Sequence, residues 1–218
     1  VLDLCFSSIS IFGLASKGGF RLQGKDRRYK GVHTAVTTIL QELGVDLKDS
    51  NFVETPRRIS SWLLEFVREK EQVELELREF SKAIFPFKGH DLIVIDDITA
   101  YSICPHHFLP VVYKVSIAYL PNGHVVGLSK LARFAKTLAR VPLLQETYVN
   151  ELANSIFKYL RADGVLVLVS GEHFCMKMRG VNCDSTVMTT AIRGKFETDE
   201  ALKSEAYQML MLKKRCVS

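Results

Sequence analysis

With 218 residues, 47% of them hydrophobic and 24% charged, the chain has room for one domain with a sizeable core, and its composition is that of an ordinary soluble globular protein rather than a disordered or membrane one. The net charge of +5 comes from 29 basic and 24 acidic residues that are spread rather than blocked, and no basic stripe interleaved with aromatics suggests a nucleic-acid partner. Five cysteines at scattered spacing do not make a secreted disulfide framework, so a reducing, cytoplasmic setting is expected.

Residues 1–28 are expected to form a flexible tail. Its apolar patch from Ile11 to Ala15 has no basic segment before it and is too short to span a bilayer, so neither a signal peptide nor an anchor is expected. Val32, Ala35, Val36, Ile39, Leu40 and Leu43 recur at helical spacing, with Gly44 placed to end the helix in a left-handed conformation. Thr55-Pro56 reads as the N-cap and first residue of a second helix, whose apolar stripe is Ile59, Trp62, Leu63, Phe66 and Val67. The charged stretch from Glu69 to Glu79 is expected to continue or end that helix in solvent.

After Pro86 the period falls to two, predicting strands over 92–98 and 113–119. Pro121-Asn122-Gly123 marks a turn into a short strand at Val125-Val126. Ser129 is the expected N-cap of a helix carrying Leu131, Ala132, Ala135 and Leu138, and Val149, Leu152, Ala153, Ile156, Phe157 and Leu160 mark another. The unbroken apolar run 164–170 predicts a buried strand whose odd-numbered face leads through Gly171 to His173 and Cys175. A strand over 186–192 and a closing helix over 198–212 complete an α+β chain with an antiparallel sheet. A single domain over 29–213 and a short tail over 214–218 are expected.

Two segments concentrate the chemistry. Cys104-Pro105-His106-His107 and His173-Phe174-Cys175 hold two of five cysteines and three of six histidines. Cys104 and His107, three apart, can be aimed at one ion by a tight turn, and Cys175 supplies a third ligand. Three protein ligands leave the fourth position of tetrahedral zinc to water, whose pKa falls to about 7, which implies hydrolysis rather than scaffolding. His106 and His173 are then left to move protons. Two other readings stand beside this one: a disulfide between Cys104 and Cys175, and a non-catalytic zinc-stabilised binding protein. A structural site would gain nothing from the two free histidines and tends to close with a fourth ligand.

Gly127-Leu128-Ser129-Lys130 stands at a strand-to-helix junction, with Arg133 one turn later. Backbone N–H groups, a hydroxyl and two cations suit a phosphate there, although Ser-Lys at a helix start is ordinarily a cap with a solvated lysine. Arg179, four residues beyond Cys175, can bring another cation to the same ligand. Gln145-Glu146 opens a helix, where the glutamate either supports the dipole or accepts from two parallel N–H groups such as a guanine edge presents.

Taken together, Cys104-Pro105-His106-His107, the segment from Gly127 to Arg133, Gln145-Glu146, the segment from His173 to Val181, and Glu54-Thr55-Pro56-Arg57-Arg58 resemble GTP cyclohydrolase I of the zinc-dependent type. The resemblance runs from about Val32 to the closing helix. It implies the tunnelling fold, in which small antiparallel sheets from several subunits close into a barrel, with helices on one side, here as a toroidal homodecamer with active sites between subunits. It also implies conversion of GTP and water to 7,8-dihydroneopterin triphosphate and formate, the entry to folate and tetrahydrobiopterin. On that resemblance zinc falls on Cys104, His107 and Cys175, and acid/base work on His106 and His173. Gln145 and Glu146 would hold guanine, and Ser129, Lys130, Arg133 and Arg179 the triphosphate. Pro105 stands where many relatives have Glu, and Thr147 where Arg is common.

Overall fold

A computed structural model describes the backbone of residues 18–215 and the side chains of residues 26–210. The chain divides into two compact units, one ending at Glu65 and the other beginning at Phe66. Among the described residues no helix is long and apolar enough to cross a membrane.

The first unit holds α1 (Gly18–Glu42) and nearly all of α2 (Thr55–Phe66). The predicted helix from Val32 thus begins at Gly18 and takes in residues 18–28, which were expected in the tail, while the patch from Ile11 to Ala15 lies outside the described residues. Gly44 ends the helix as expected, at φ 76°. Its N–H donates to the Gln41 carbonyl at 2.9 Å and that of Val45 to Leu40 at 3.0 Å, a reciprocal pair that satisfies carbonyls left over by the last turn. Helix α2 starts one residue earlier than predicted, because the Arg58 N–H reaches back to the Glu54 carbonyl at 3.0 Å, which makes Glu54 the flanking residue and Thr55 helical.

The second unit opens with α3 (Lys70–Phe80), where the sequence suggested only a solvated continuation of α2. The charge density hid an apolar stripe: Val73 and Leu77 are 0% and 1% exposed, and Phe80, one turn on, lies with its ring 6.3 Å from that of Phe134. Burying each such side chain contributes about 1.5–3 kcal/mol, whereas exposed ion pairs such as Lys82 with Glu79 contribute about 0–1, so the stripe and not the charges docks this helix. The short β1 (Ile84–Pro86) follows and pairs antiparallel with β4 (His124–Val126).

The main sheet has four antiparallel strands in the order β2 (Ile93–Ile103), β3 (Pro110–Leu120), β5 (Gly164–His173), β6 (Thr186–Gly194). Alternate residues of β3 and β5, among them Tyr113, Val115, Ile117, Val165, Val167 and Val169, face α4 (Leu128–Leu138) and α5 (Gln145–Leu160) in the principal core. The intervening residues Ala118, Leu120 and Leu166 join a smaller cluster with Phe196 and with Ala206 and Leu210 of α7 (Glu200–Arg215). Strand β5 is covered on both faces, and this is why its sequence is an unbroken apolar run instead of an alternating one.

Strand register fixes which ends meet. Val111 of β3 is opposite His173 of β5, and Leu120 is opposite Gly164, so the start of β3 and the end of β5 share one end of the sheet. At about 3.3 Å per residue the opposite end is roughly 30 Å away.

Candidate active site

The β2–β3 connection is a tight loop. The Cys104 N–H donates to the Leu109 carbonyl at 2.8 Å, and the Phe108 N–H to the Cys104 carbonyl at 2.9 Å, closing a single turn of helical pitch. Within such a turn residues three apart share a side, and Cys104 Sγ stands 3.8 Å from His107 Nδ1. Phe108 completes the reversal at φ 56°, a left-handed conformation uncommon for a bulky residue and a form of backbone strain found at functional sites. Cys104 is buried while His106 and His107 are exposed, their rings edge to face with centroids 6.2 Å apart.

Cys175 arrives differently from the expectation. Strand β5 ends at His173, and Cys175 sits in the one-turn helix α6 (Phe174–Lys177), so it does not continue the extended odd-numbered face. The helical turn brings its thiol back to the loop: the donor atoms of Cys104, His107 and Cys175 all lie within 4.8 Å of one another, a group able to hold a metal ion. Burial pushes the Cys175 thiol above its ordinary pKa and the Cys104 thiol beside it adds to the rise, while Arg179 draws it back. Arg179 is exposed on the segment after α6, which Lys177 braces by ion pairs to Glu172 and to Asp184.

His173 closes the same end of the sheet. Its Nε2 is 2.7 Å from Gln145 Oε1, at the first turn of α5, and its ring meets Tyr113 edge to face at 6.2 Å. Tyr113 in turn stacks on Tyr148 at 4.8 Å. Burial holds His173 below the ordinary imidazole pKa, and the charge of the exposed Glu146 opposes that shift. Burial pushes the Tyr113 phenol up to about 12, partly offset by its hydrogen bond with Ser102. Gly171 was read only as a step along the strand, yet a Cβ there would stand 2.9 Å from Gln145 Cδ and 3.1 Å from His173 Nε2. A glycine two residues before a candidate histidine was the available signal.

The anion-binding segment lies elsewhere. Helix α4 begins at Leu128 with Gly127 flanking it, so Ser129 is inside the first turn and is not the cap. Lys130 Nζ and Arg133 Cζ lie 6.0 Å and 5.8 Å from the centre of the Phe80 ring, which sets the two cations side by side. The Gly127 N–H donates to Ala83 at 3.2 Å, and His124 of the adjoining β4 contacts the Leu160 carbonyl, at the end of α5, at 2.6 Å. This start of α4 belongs to the end of the sheet where β3 finishes, whereas the cysteines, His173 and Gln145 belong to the end where β3 begins. The structure thus brings together Cys104, His106, His107, Cys175, His173, Gln145, Glu146 and Arg179, and holds Ser129, Lys130 and Arg133 apart from them.

A family model described as GTP cyclohydrolase I matches residues 32–211, spanning both clusters. The chain belongs to the GTP cyclohydrolase I family. The GTP cyclohydrolase 1 of Clostridium perfringens strain ATCC 13124 is 41% identical over 182 residues, covering 83% of this chain and 97% of that protein. That of Streptococcus sanguinis strain SK36 is 42% identical over 183 residues, again covering 83% and 97%. Among solved structures, an archaeosine synthase QueF-Like in the apo form covers 49% of this chain and 97% of its own, with 19% identity and a TM-score of 0.42. As a GTP cyclohydrolase I family member the chain is an enzyme, and its four-stranded antiparallel sheet with packed helices is the α+β architecture expected from the sequence.

Proposed function

We propose that this chain is a zinc-dependent GTP cyclohydrolase I that opens the purine ring of GTP and yields 7,8-dihydroneopterin triphosphate and formate. The observation that carries the proposal is the convergence of three donors, Cys104, His107 and Cys175, beside a histidine, His173, that is not needed as a ligand. Two thiols and an imidazole are the donor types that zinc selects. In a tetrahedral site with bonds of about 2.0–2.3 Å, sulfur and nitrogen sit about 3.5 Å apart, close to the 3.8 Å between Cys104 Sγ and His107 Nδ1. A bound zinc would act there as a Lewis acid that makes water nucleophilic near neutral pH.

The protein groups supply the rest. Water gives up a proton as its oxygen bonds to C8 of the purine and His173 delivers a proton to N7. The C8–N9 bond then breaks, N9 taking a proton as the C8 hydroxyl collapses to a formyl group on N7, and a second water releases that formyl as formate. His106, exposed on the same loop, is the second proton carrier. Glu146 accepts the paired N–H groups of guanine, and Arg179 turns a positive charge toward the phosphates. Lys130, Arg133 and Ser129 hold the triphosphate, which keeps the open-chain intermediate in place while the ribose carbons close the second ring.

Helix α4, which carries Lys130 and Arg133, begins after β3 has finished, whereas the metal donors lie where β3 begins, and this separation favours a nucleotide held between two copies of the chain. A second copy would then bring its α4 start to the metal end of the first, in a homo-oligomer with shared sites and, through the family resemblance, a toroidal decamer. A cytoplasmic enzyme without a nucleic-acid or membrane partner fits this reading. The deciding experiment is formate release from GTP by purified protein, with and without a zinc chelator and with bound zinc counted. Chelator-sensitive formate with one zinc per chain is expected; tightly bound zinc without formate would overturn the reading.

A further inference from the structure

Gln145 is 3% exposed, the one buried amide side chain among the described residues, and all of its polar capacity is spent inside the protein. Its Nε2 lies 3.3 Å from the Val169 carbonyl, 2.9 Å from the Val187 carbonyl and 3.1 Å from the Thr189 hydroxyl. Carbonyls only accept, so the amide nitrogen must face them and the amide oxygen must face the other way. That oxygen is 2.7 Å from His173 Nε2. An amide oxygen also only accepts, so His173 Nε2 must carry a hydrogen in the neutral ring, and the lone pair is left on Nδ1. Among the described residues Nδ1 has no hydrogen-bond partner.

We propose that Gln145 is a positioning residue that fixes the neutral tautomer of His173, so that its proton is given and taken at Nδ1, and that Gln145 is not a ligand of the guanine base. This rests on the acid/base role given to His173 above. The anchors of the amide come from β5 and β6, and Gln145 itself from α5, so three elements of the main sheet unit aim one ring. Gly171 makes room for the pair, since any Cβ there would press on both the amide and the ring. When His173 gives the Nδ1 proton to substrate N7, the ring that remains is the tautomer already held by the Gln145 oxygen, and no ring flip is needed before the next transfer.

The test uses the assembled, zinc-loaded protein labelled with ¹⁵N-histidine, with the His173 signals assigned by their absence in His173→Ala. The expected neutral ring has a pyridine-like Nδ1 and a protonated Nε2; a protonated Nδ1 or a mixture of tautomers overturns the proposal, whether or not the protein turns over GTP. In Gln145→Met the tautomer preference is lost and kcat for formate release falls by about 10- to 100-fold, part of the roughly 10²–10⁴ that acid/base catalysis supplies, with KM for GTP within about twofold of the original. A guanine ligand would instead raise KM with kcat retained, and that result would overturn the assignment. Thr189→Val, which removes one anchor and keeps the side chain's shape, is expected to move tautomer ratio and kcat in the same direction by a smaller factor. An unchanged tautomer in both variants would show that something other than Gln145 sets it. Absence of formate from the unaltered protein would count against the enzymatic reading alone.

Discussion

Gly171 and Gln145 come from elements far apart in sequence and touch so closely that a Cβ on the glycine would stand 2.9 Å from the amide carbon. Substitution Gly171→Ala must therefore push the amide away from His173 or bend β5. Overpacking of this kind costs about 1–3 kcal/mol, so a lower Tm is expected. Formate release should fall about tenfold or more while bound zinc stays at one per chain. Unchanged turnover in the alanine variant would show that the close contact is not used.

Removal of a metal donor and removal of the proton carrier should separate. Cys175→Ala is expected to lose zinc and all activity, since two remaining donors do not hold the ion at ordinary concentrations. His173→Ala is expected to keep its zinc and lose turnover by roughly 10²-fold or more. Zinc analysis of the two purified variants beside their formate assays decides the matter, and zinc loss in His173→Ala would remove that histidine from its role.

Two inactive chains should rescue each other. Lys130→Ala damages the anion end and Cys175→Ala the metal end, and in the shared sites proposed these residues meet from different copies. Unfolding and reassembling an equal mixture should restore about a quarter of wild-type activity, the fraction of sites that draw both intact residues. No recovery from a mixture shown to contain both chains would place the whole site within one chain.

Alkaline pH should weaken the fold through the stacked tyrosines. In the unfolded chain a tyrosine loses its proton near pH 10, whereas buried Tyr113 keeps it until about 12, and burial raises Tyr148 as well. The folded state then binds more protons than the unfolded one between those values. Its stability is fully present below pH 10 and falls as pH rises toward 12, by on the order of 2–3 kcal/mol from Tyr113. Denaturant titrations of the wild type and Tyr113→Phe at pH 9 and pH 11 check this; the variant should lose less between the two.

The sequence exposed those features that depend on one element at a time. The burial of β5, the stripe of α5 and the cap at Gly44 follow from periodicity and backbone preference, and the structure has each of them. The Cys104 and His107 spacing announced a turn because a three-residue offset is itself local. What depends on the meeting of elements was less legible. Helix α3 looked solvated because its stripe of Val73, Leu77 and Phe80 is thin among charges, and only α4 shows why it is enough. Ser129 was read as a cap because serine favours that place, but the chain leaves β4 at Gly127 and enters the helix two residues sooner. The place of Gln145 beside Glu146 suggests a base ligand, and nothing in its neighbours along the chain shows the three acceptors that its amide nitrogen faces.

The strand β3 is a spacer as well as a core element. In the shared sites proposed, its length helps to keep Lys130 and Arg133 away from Cys104, His107 and Cys175, and the two kinds of chemistry would be inherited on one chain but exercised on different ones. On that reading a chain damaged at one end spoils one site and still completes another with its sound end. In a cell carrying one normal and one damaged copy of the gene the loss then equals the damaged share, whereas a chain damaged at both ends spoils two sites. Selection would then act on pairs of neighbouring chains, since a substitution at either end is felt in a site that the next copy completes.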